Sequence, residues 1–311
     1  MSTTPVLGVS ACLLGDEVRF DGRHKRYNWL TEELGQFVQF VRSCPEMAMG
    51  LGVPRESMRL VRPDRGSPPR LVSNVNQVDL TDLARDTSRV LVETLPEDVN
   101  GYVFKNRSPS CGLVRVKVYD WNGSPFSDGV GFFAKEFVRR HPDVPVIEEG
   151  MLTDTGLREQ FVTQVFAHHR ISNLEKSIFA IQALHQAYKF VIHAHHEPSL
   201  RKLGRIAANS NRRKPAEVYD EYKKEFLAAL RHPTTLSKRI NVIQHIYGFI
   251  KKKVNEKEKS SALRAIEKYR EERIPFVAIM TLLQHLVEKH GSPYIENQKF
   301  FSPWPEALRM D

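Results

Sequence analysis

The 311-residue chain contains three cysteines, and each stands among turn-forming neighbours rather than inside an apolar run. Cys111 lies in RSPSCG, with Pro109 and Gly112 beside it and the apolar run GYVF before it. Cys12 lies in VSACLLG, with Gly15 three residues on. Cys44 lies in RSCPEMAMGLG, near Pro45 and Gly50. If these loops converge, three thiolates meet at one point. Three thiolates can hold an iron–sulfur cluster with one iron free of protein ligands, or a zinc ion with one open position. For any one cysteine alone the competing reading is a small buried hydrophobe. Ser108 likewise has a structural reading, as the cap of a helix that begins at Pro109. Neither GVSACLLG nor GLGVP carries a GxGxxG fingerprint, so a dinucleotide site is not indicated.

The elements that must position these loops follow from hydrophobic spacing. VLGVS reads as a buried strand, Trp29 to Val41 as a helix with Leu30, Leu34, Phe37 and Val41 on one face, and RLVRP and RLVSNV as weaker strands. Leu80 to Leu95 reads as a helix with Thr81 as N-cap. GYVFK and LVRVKVYD read as strands, Val130 to Arg140 as a helix, and PVIEE as a last strand. The alternation predicts a Rossmann-like α/β domain with a mostly parallel sheet over residues 1–155. On this reading Cys12 and Cys111 lie beyond the carboxyl ends of parallel strands, where open α/β folds place ligands, and Cys44 follows a helix. From Thr153 onward the spacing becomes three and four, as in Ile240, Ile243, Tyr247, Ile250 and Val254, and residues 156–311 read as an all-α domain. One helix, from Thr153 to about Ser172, can belong to either half or join them. The proline- and aromatic-rich SPYIENQKFFSPWPEALRMD reads as an irregular arm.

Composition, at 41% hydrophobic and 27% charged residues, is that of a globular protein. The N-terminus lacks the basic and apolar regions of a secretory signal, no apolar stretch approaches membrane-spanning length, and the odd cysteine count argues against a disulfide framework. These features predict a cytoplasmic protein. Residues 1–155 carry 19 Lys+Arg against 21 Asp+Glu, a net of −2; residues 156–311 carry 27 against 16, a net of +11. The basic excess points to a polyanion, with nucleic acid the first candidate and a solubilising surface the alternative. Its carriers are Arg201, Lys202 and Arg205 in RKLGR, Arg212, Arg213 and Lys214 in SNRRK, and Lys251, Lys252 and Lys253 in FIKKK. His193 and His196 in VIHAHHE stand three apart, which can place two rings on one helical face for a metal, or for a surface or RNA contact.

VSACLLG, FDG, SCPE and KNRSPSCG, in this order, resemble the thiouracil desulfidase family over roughly the first half of the chain. The helical half resembles an accessory domain that also occurs alone. The combination is similar to the bacterial RNA 4-thiouridine desulfidases, which act on thiolated uridine in tRNA. The resemblance implies that Cys12, Cys44 and Cys111 bind a [4Fe-4S] cluster with one open iron. An unligated iron is a soft Lewis acid suited to a thiocarbonyl sulfur, and Glu46, two residues after Cys44, is the candidate base that delivers water; its plainer role is a first-turn carboxylate stabilised by a helix dipole. Ser108 and Ser110 can hydrogen-bond the base or the sulfide, and Asp21 in FDG is a turn residue or a wall of the pocket. Two other functions stay open: a desulfidase of free thiouracil or thiobases, and a non-enzymatic RNA-binding or iron–sulfur sensor protein.

Overall fold

The computed structural model describes residues 4–62, 64, 66–120, 122–308 and 310. Its chain divides into two compact units, Met1–His169 with Ala307–Asp311, and Arg170–Glu306.

Among the described residues, the first unit holds two four-stranded sheets. The strands are β1 (Val6–Ser10), β2 (Gln39–Ser43), β3 (Met58–Val61), β4 (Arg70–Ser73), β5 (Val99–Phe104), β6 (Val116–Tyr119), β7 (Pro125–Gly129) and β8 (Val146–Glu148). One sheet has the order β2-β1-β5-β8 and every neighbouring pair is parallel. Every residue of β1 and β5 is buried, the pattern of central parallel strands covered on both faces. The second sheet, β4-β3-β6-β7, is mixed: β3 and β6 run parallel, and β4 and β7 lie antiparallel at its edges. Strands β1, β5 and β8 of the parallel sheet were legible from their apolar runs, whereas β2 was read as part of a helix. The mixed sheet was not recognised as a separate layer, and the polar PFSDG of β7 gave no strand signal.

Among the described residues, the helices wholly within this unit are α1 (Pro45–Ala48), α2 (Thr81–Glu93) and α3 (Phe132–Arg140). Phe133, Ala134 and Phe137 of α3 and Val92 of α2 pack on Tyr102 and Phe104 of β5, a cluster that includes Cys111. Two expectations are corrected. Thr81 is the first residue of α2 rather than its cap; its Oγ1 accepts from the Leu71 amide of β4, at 3.0 Å, and so ties helix to sheet. The segment from Trp29 to Val41 is not one helix. It makes a π-helical turn over Trp29–Glu33 and a 3-10 turn over Leu34–Gln36, and then becomes β2, so Cys44 follows a strand. Leu30 and Leu34 do share a buried face, but Val41 pairs with Gly8 of β1, and the hydrogen bonds of the sheet outweigh the helical spacing.

Helix α4 (Thr155–Ser172) contributes Thr155–His169 to the first unit and its last residues to the second. The second unit is helical throughout its described elements: α5 (Ile178–His195), α6 (Glu197–Ala208), α7 (Pro215–Leu230), α8 (Leu236–Ile250), α9 (Glu256–Arg270), α10 (Phe276–His290) and the short α11 (Pro293–Glu296). Ile240, Ile243, Tyr247 and Ile250 all point into its core, as their spacing requires, and Phe300 and Phe301 of the expected arm pack on the same cluster. No helix among the described residues is long and apolar enough to cross a membrane.

Candidate active site

The three cysteines follow the carboxyl ends of three adjacent parallel strands, β1, β2 and β5, and all three line one cavity of about 470 Å³. Cys12 sits in a 3-10 turn, Ala11–Leu14, that stops at Gly15 with φ +100°, a left-handed conformation that favours glycine. Cys44 is the residue before α1, where Pro45 occupies a first-turn position with no amide to satisfy. Cys111 lies in a turn closed by the Gly112 amide on the Ser108 carbonyl, at 2.8 Å. Gly112 is forced by space: a Cβ there would stand 2.7 Å from the Ser108 oxygen and 2.4 Å from a Val116 methyl. The start of α3 clamps this turn from outside, since the Phe133 amide donates to Ser110 O and the Gly131 amide to Gly112 O.

Burial, then the nearby Cys44 thiol, push the Cys12 thiol up to about 11. The Cys44 and Cys111 thiols are also raised, chiefly by burial, and Cys111 further by Cys44 and Glu46. Bringing three thiolates together here is unfavourable unless a cation joins them, and coordination reverses the sign by deprotonating a thiol outright. The buried Ser43 lies beside Cys44 on the cavity wall. Three cysteines on one cavity form a donor set that fits a thiolate-held iron–sulfur group. Among the described residues no group of three or more His, Cys, Asp and Glu side chains is gathered to hold a metal ion as they stand.

Glu46 lines the same cavity, and its carboxylate is held on both sides. Ser110 Oγ donates to Oε1 at 3.1 Å, and Arg55 reaches Oε2 through Nε, at 3.1 Å, and through Nη2. Arg55, which the sequence reading missed, also donates to the carbonyls of Val18 and Gly52, both at 2.8 Å, and stitches the loop after β1 to the loop after α1. Its role had no local signal, because its partners lie up to 37 residues away. Ser108 caps the cysteine turn, its Oγ accepting from the amides of Ser110 and Cys111 at 3.2 and 3.1 Å; no helix begins at Pro109. Ser110 lies behind Glu46 rather than on the cavity lining, and Asp21 is off the lining too. Asp21 accepts from Arg19 Nε and the Arg23 amide, each at 3.3 Å; desolvation is the largest single influence on its carboxyl and raises it, but the Arg23 amide, the Arg19 charge and the other hydrogen bonds together outweigh it and leave the carboxyl lowered. Arg19, Lys25, Lys105 and Arg107 line the cavity, and Lys105 pairs with Glu149.

In the helical unit Arg201, Lys202 and Arg205 lie on α6, Arg212, Arg213 and Lys214 in the connection to α7, and Lys251, Lys252 and Lys253 in the turn after α8. Arg201 pairs with Glu197, Lys202 with Glu225 and Arg213 with Glu221, so part of the expected basic surface is neutralised. Arg201, Arg205 and Arg213 line one cavity of about 450 Å³, and the three lysines do not. His193 lies 5.1 Å from His245, whereas His196 stacks on His232 at 4.0 Å, so the two rings take different partners.

Residues 7–149 match the model of the 2-thiouracil desulfurase family, and residues 189–305 that of a family described as a protein of unknown function, DUF1722. The uncharacterized protein YbgA of Escherichia coli (strain K12) is 25% identical over 151 residues, which are 47% of this chain and 89% of that protein. A solved structure described as the [4Fe-4S]-dependent thiouracil desulfidase TudS is 30% identical and covers 48% of this chain and 94% of its own, with a TM-score of 0.38. The match to the 2-thiouracil desulfurase family model lies in residues 7–149, which contain all three cysteines and Glu46.

Proposed function

We propose that this protein is an iron–sulfur-dependent desulfidase that replaces the sulfur of a thiolated uracil base with oxygen, and that its substrate is 4-thiouridine in tRNA. The observation that supports it most is the meeting of Cys12, Cys44 and Cys111 on one cavity with Glu46 on the same wall. Three thiolates would hold a [4Fe-4S] cluster, whose protein-free iron supplies a soft Lewis acid for the thiocarbonyl sulfur. The net reaction consumes water and releases sulfide, one C=S bond giving way to one C=O bond, so no electrons enter or leave.

The side chains supply the rest. Glu46 accepts a proton from the attacking water, and Ser110 and Arg55 hold its two oxygens at the cavity wall. Ser108 keeps the turn that presents Cys111, and Asp21 orients Arg19 at the cavity wall. Arg19, Lys25 and Arg107 give that wall a positive potential suited to a phosphorylated substrate, which a free base does not need. The net of +11 over residues 156–311 favours an RNA carrier in the same way, through Arg205, Arg212, Lys214, Lys251 and Lys252, which have no ion-pair partner among the described residues. A second reading, action on free thiouracil, is favoured by the name of the matching family.

Nucleoside mass spectrometry of tRNA before and after incubation with anaerobically reconstituted protein tests the proposal. Loss of 4-thiouridine with matching gain of uridine is the expected result. Turnover of free thiouracil with intact tRNA 4-thiouridine selects the second reading, and no turnover of either, with iron bound, refutes both.

A further inference from the structure

A second cavity, of about 1230 Å³, opens on the first unit beside the cysteine cavity, and Met58, Asn106, Arg107 and Pro109 line both. Its lining is drawn from β3 and β6 of the mixed sheet and from the loops around Arg107 and Arg115. Four cations face it: Arg59, Arg107, Arg115 and Lys117. Arg107, Arg115 and Lys117 are exposed and none has an ion-pair partner among the described residues. The carboxylate on the lining, Glu148, is buried, and its Oε1 already accepts from the amides of Leu113 and Val114. The guanidinium of Arg59 lies 5.7 Å from the centre of the Tyr119 ring, and its buried Nε has no hydrogen-bond partner among the described residues.

This concentration does not follow from composition, because residues 1–155 carry more acids than bases, 21 against 19. A groove that gathers uncompensated cations on a nearly neutral unit marks a polyanion track. The aromatic–guanidinium pair in the same groove selects among polyanions. An acidic peptide would satisfy the charges and leave the Arg59–Tyr119 face unused, whereas nucleic-acid bases stack on such faces in a sequence-tolerant way.

We propose that this groove is a single-stranded RNA subsite for the nucleotides adjoining the thiolated base, with their phosphates on Arg107, Arg115 and Lys117 and one base against Arg59 and Tyr119. The proposal rests on the desulfidase reading only for the identity of the base in the neighbouring cavity. It makes the substrate a strand splayed across two joined cavities, with the modified base extruded from its stack into the deeper one.

The test uses the full-length protein and two readouts. A short single-stranded RNA with 5-iodouridine next to a uridine is photocrosslinked and the adducts are mapped by mass spectrometry. Adducts on peptides containing Arg59 or Tyr119 are expected, and adducts confined to other surfaces overturn the proposal. This arm needs no turnover, so it decides the groove even if the desulfidase reading fails. In the second arm the Arg115→Ala/Lys117→Ala protein, its fold checked by circular dichroism, is compared with wild type on a 4-thiouridine oligonucleotide and on 4-thiouridine monophosphate. The KM for the oligonucleotide rises about tenfold, and its salt slope falls by about 1.4, the loss of two phosphate contacts on a single strand. The monophosphate, too small to reach Arg115 and Lys117, keeps its kcat/KM. Equal losses on both substrates, or none on the oligonucleotide, overturn the proposal.

Discussion

Glu46 is held by one hydroxyl and one guanidinium, and Cys111 by a turn that leaves its thiol buried at the cavity wall; the two positions therefore fail differently when changed. Glu46→Gln keeps the shape and both neighbours but removes the proton acceptor. It is expected to retain iron and lose about a hundredfold or more in kcat, in line with the usual contribution of a positioned base. Cys111→Ala removes a ligand and is expected to lose the iron as well as turnover. Iron content, the visible absorption of the reconstituted cluster and steady-state rates read the two cases apart. A Glu46→Gln protein with wild-type kcat would end the role of Glu46 as base. Arg55 shows how far one residue can serve several partners: it neutralises the carboxylate beside Cys44 and holds the Val18 carbonyl, which also lies 3.9 Å from the Cys44 sulfur.

The site is a product of strand order. β2, β1 and β5 are neighbours in one parallel sheet, so their carboxyl ends lie on one edge and the loops that leave them converge without long excursions. Each loop then needs a residue that lets it turn within a few positions, and Gly15, Pro45 and Gly112 are those residues. Gly112→Ala tests this at the level of the element. Its Cβ would meet the Ser108 carbonyl in the turn that carries Cys111, so the turn must open or Val116 must shift. A destabilisation of about 1–3 kcal/mol is expected from such overpacking. Thermal melts measure it, and iron occupancy reports whether the turn still presents its thiol. A melting temperature and iron content equal to wild type would contradict the crowding argument.

Across the whole molecule the charge is divided unequally, −2 over residues 1–155 and +11 over residues 156–311. Association with tRNA through those cations releases counterions, whereas a free thiobase releases almost none. If four phosphates are neutralised, apparent affinity for tRNA falls about a hundredfold between about 50 and about 200 mM salt. The KM for free thiouracil is expected to stay nearly constant over the same range. Parallel salt titrations of the two substrates measure the contrast, and equal slopes would remove the helical unit from substrate binding.

The amino-acid sequence by itself determined the two-part organisation, the buried strands β1 and β5, and the helical core, because each follows from apolar residues at a period the backbone imposes locally. It also marked the three cysteines, since turn residues around a thiol are a short-range signal. Tertiary structure decided what those positions become. Residues 39–43 hydrogen-bond to β1 as a strand despite their place in a helical pattern, and this puts Cys44 on the same sheet edge as Cys12 and Cys111. Glu46 acquires Arg55 and Ser110, nine and 64 residues away. The cation-lined groove exists only because β3 and β6 pair across intervening chain. Such contacts depend on which surfaces the folded backbone brings face to face, and no local period in a sequence encodes that.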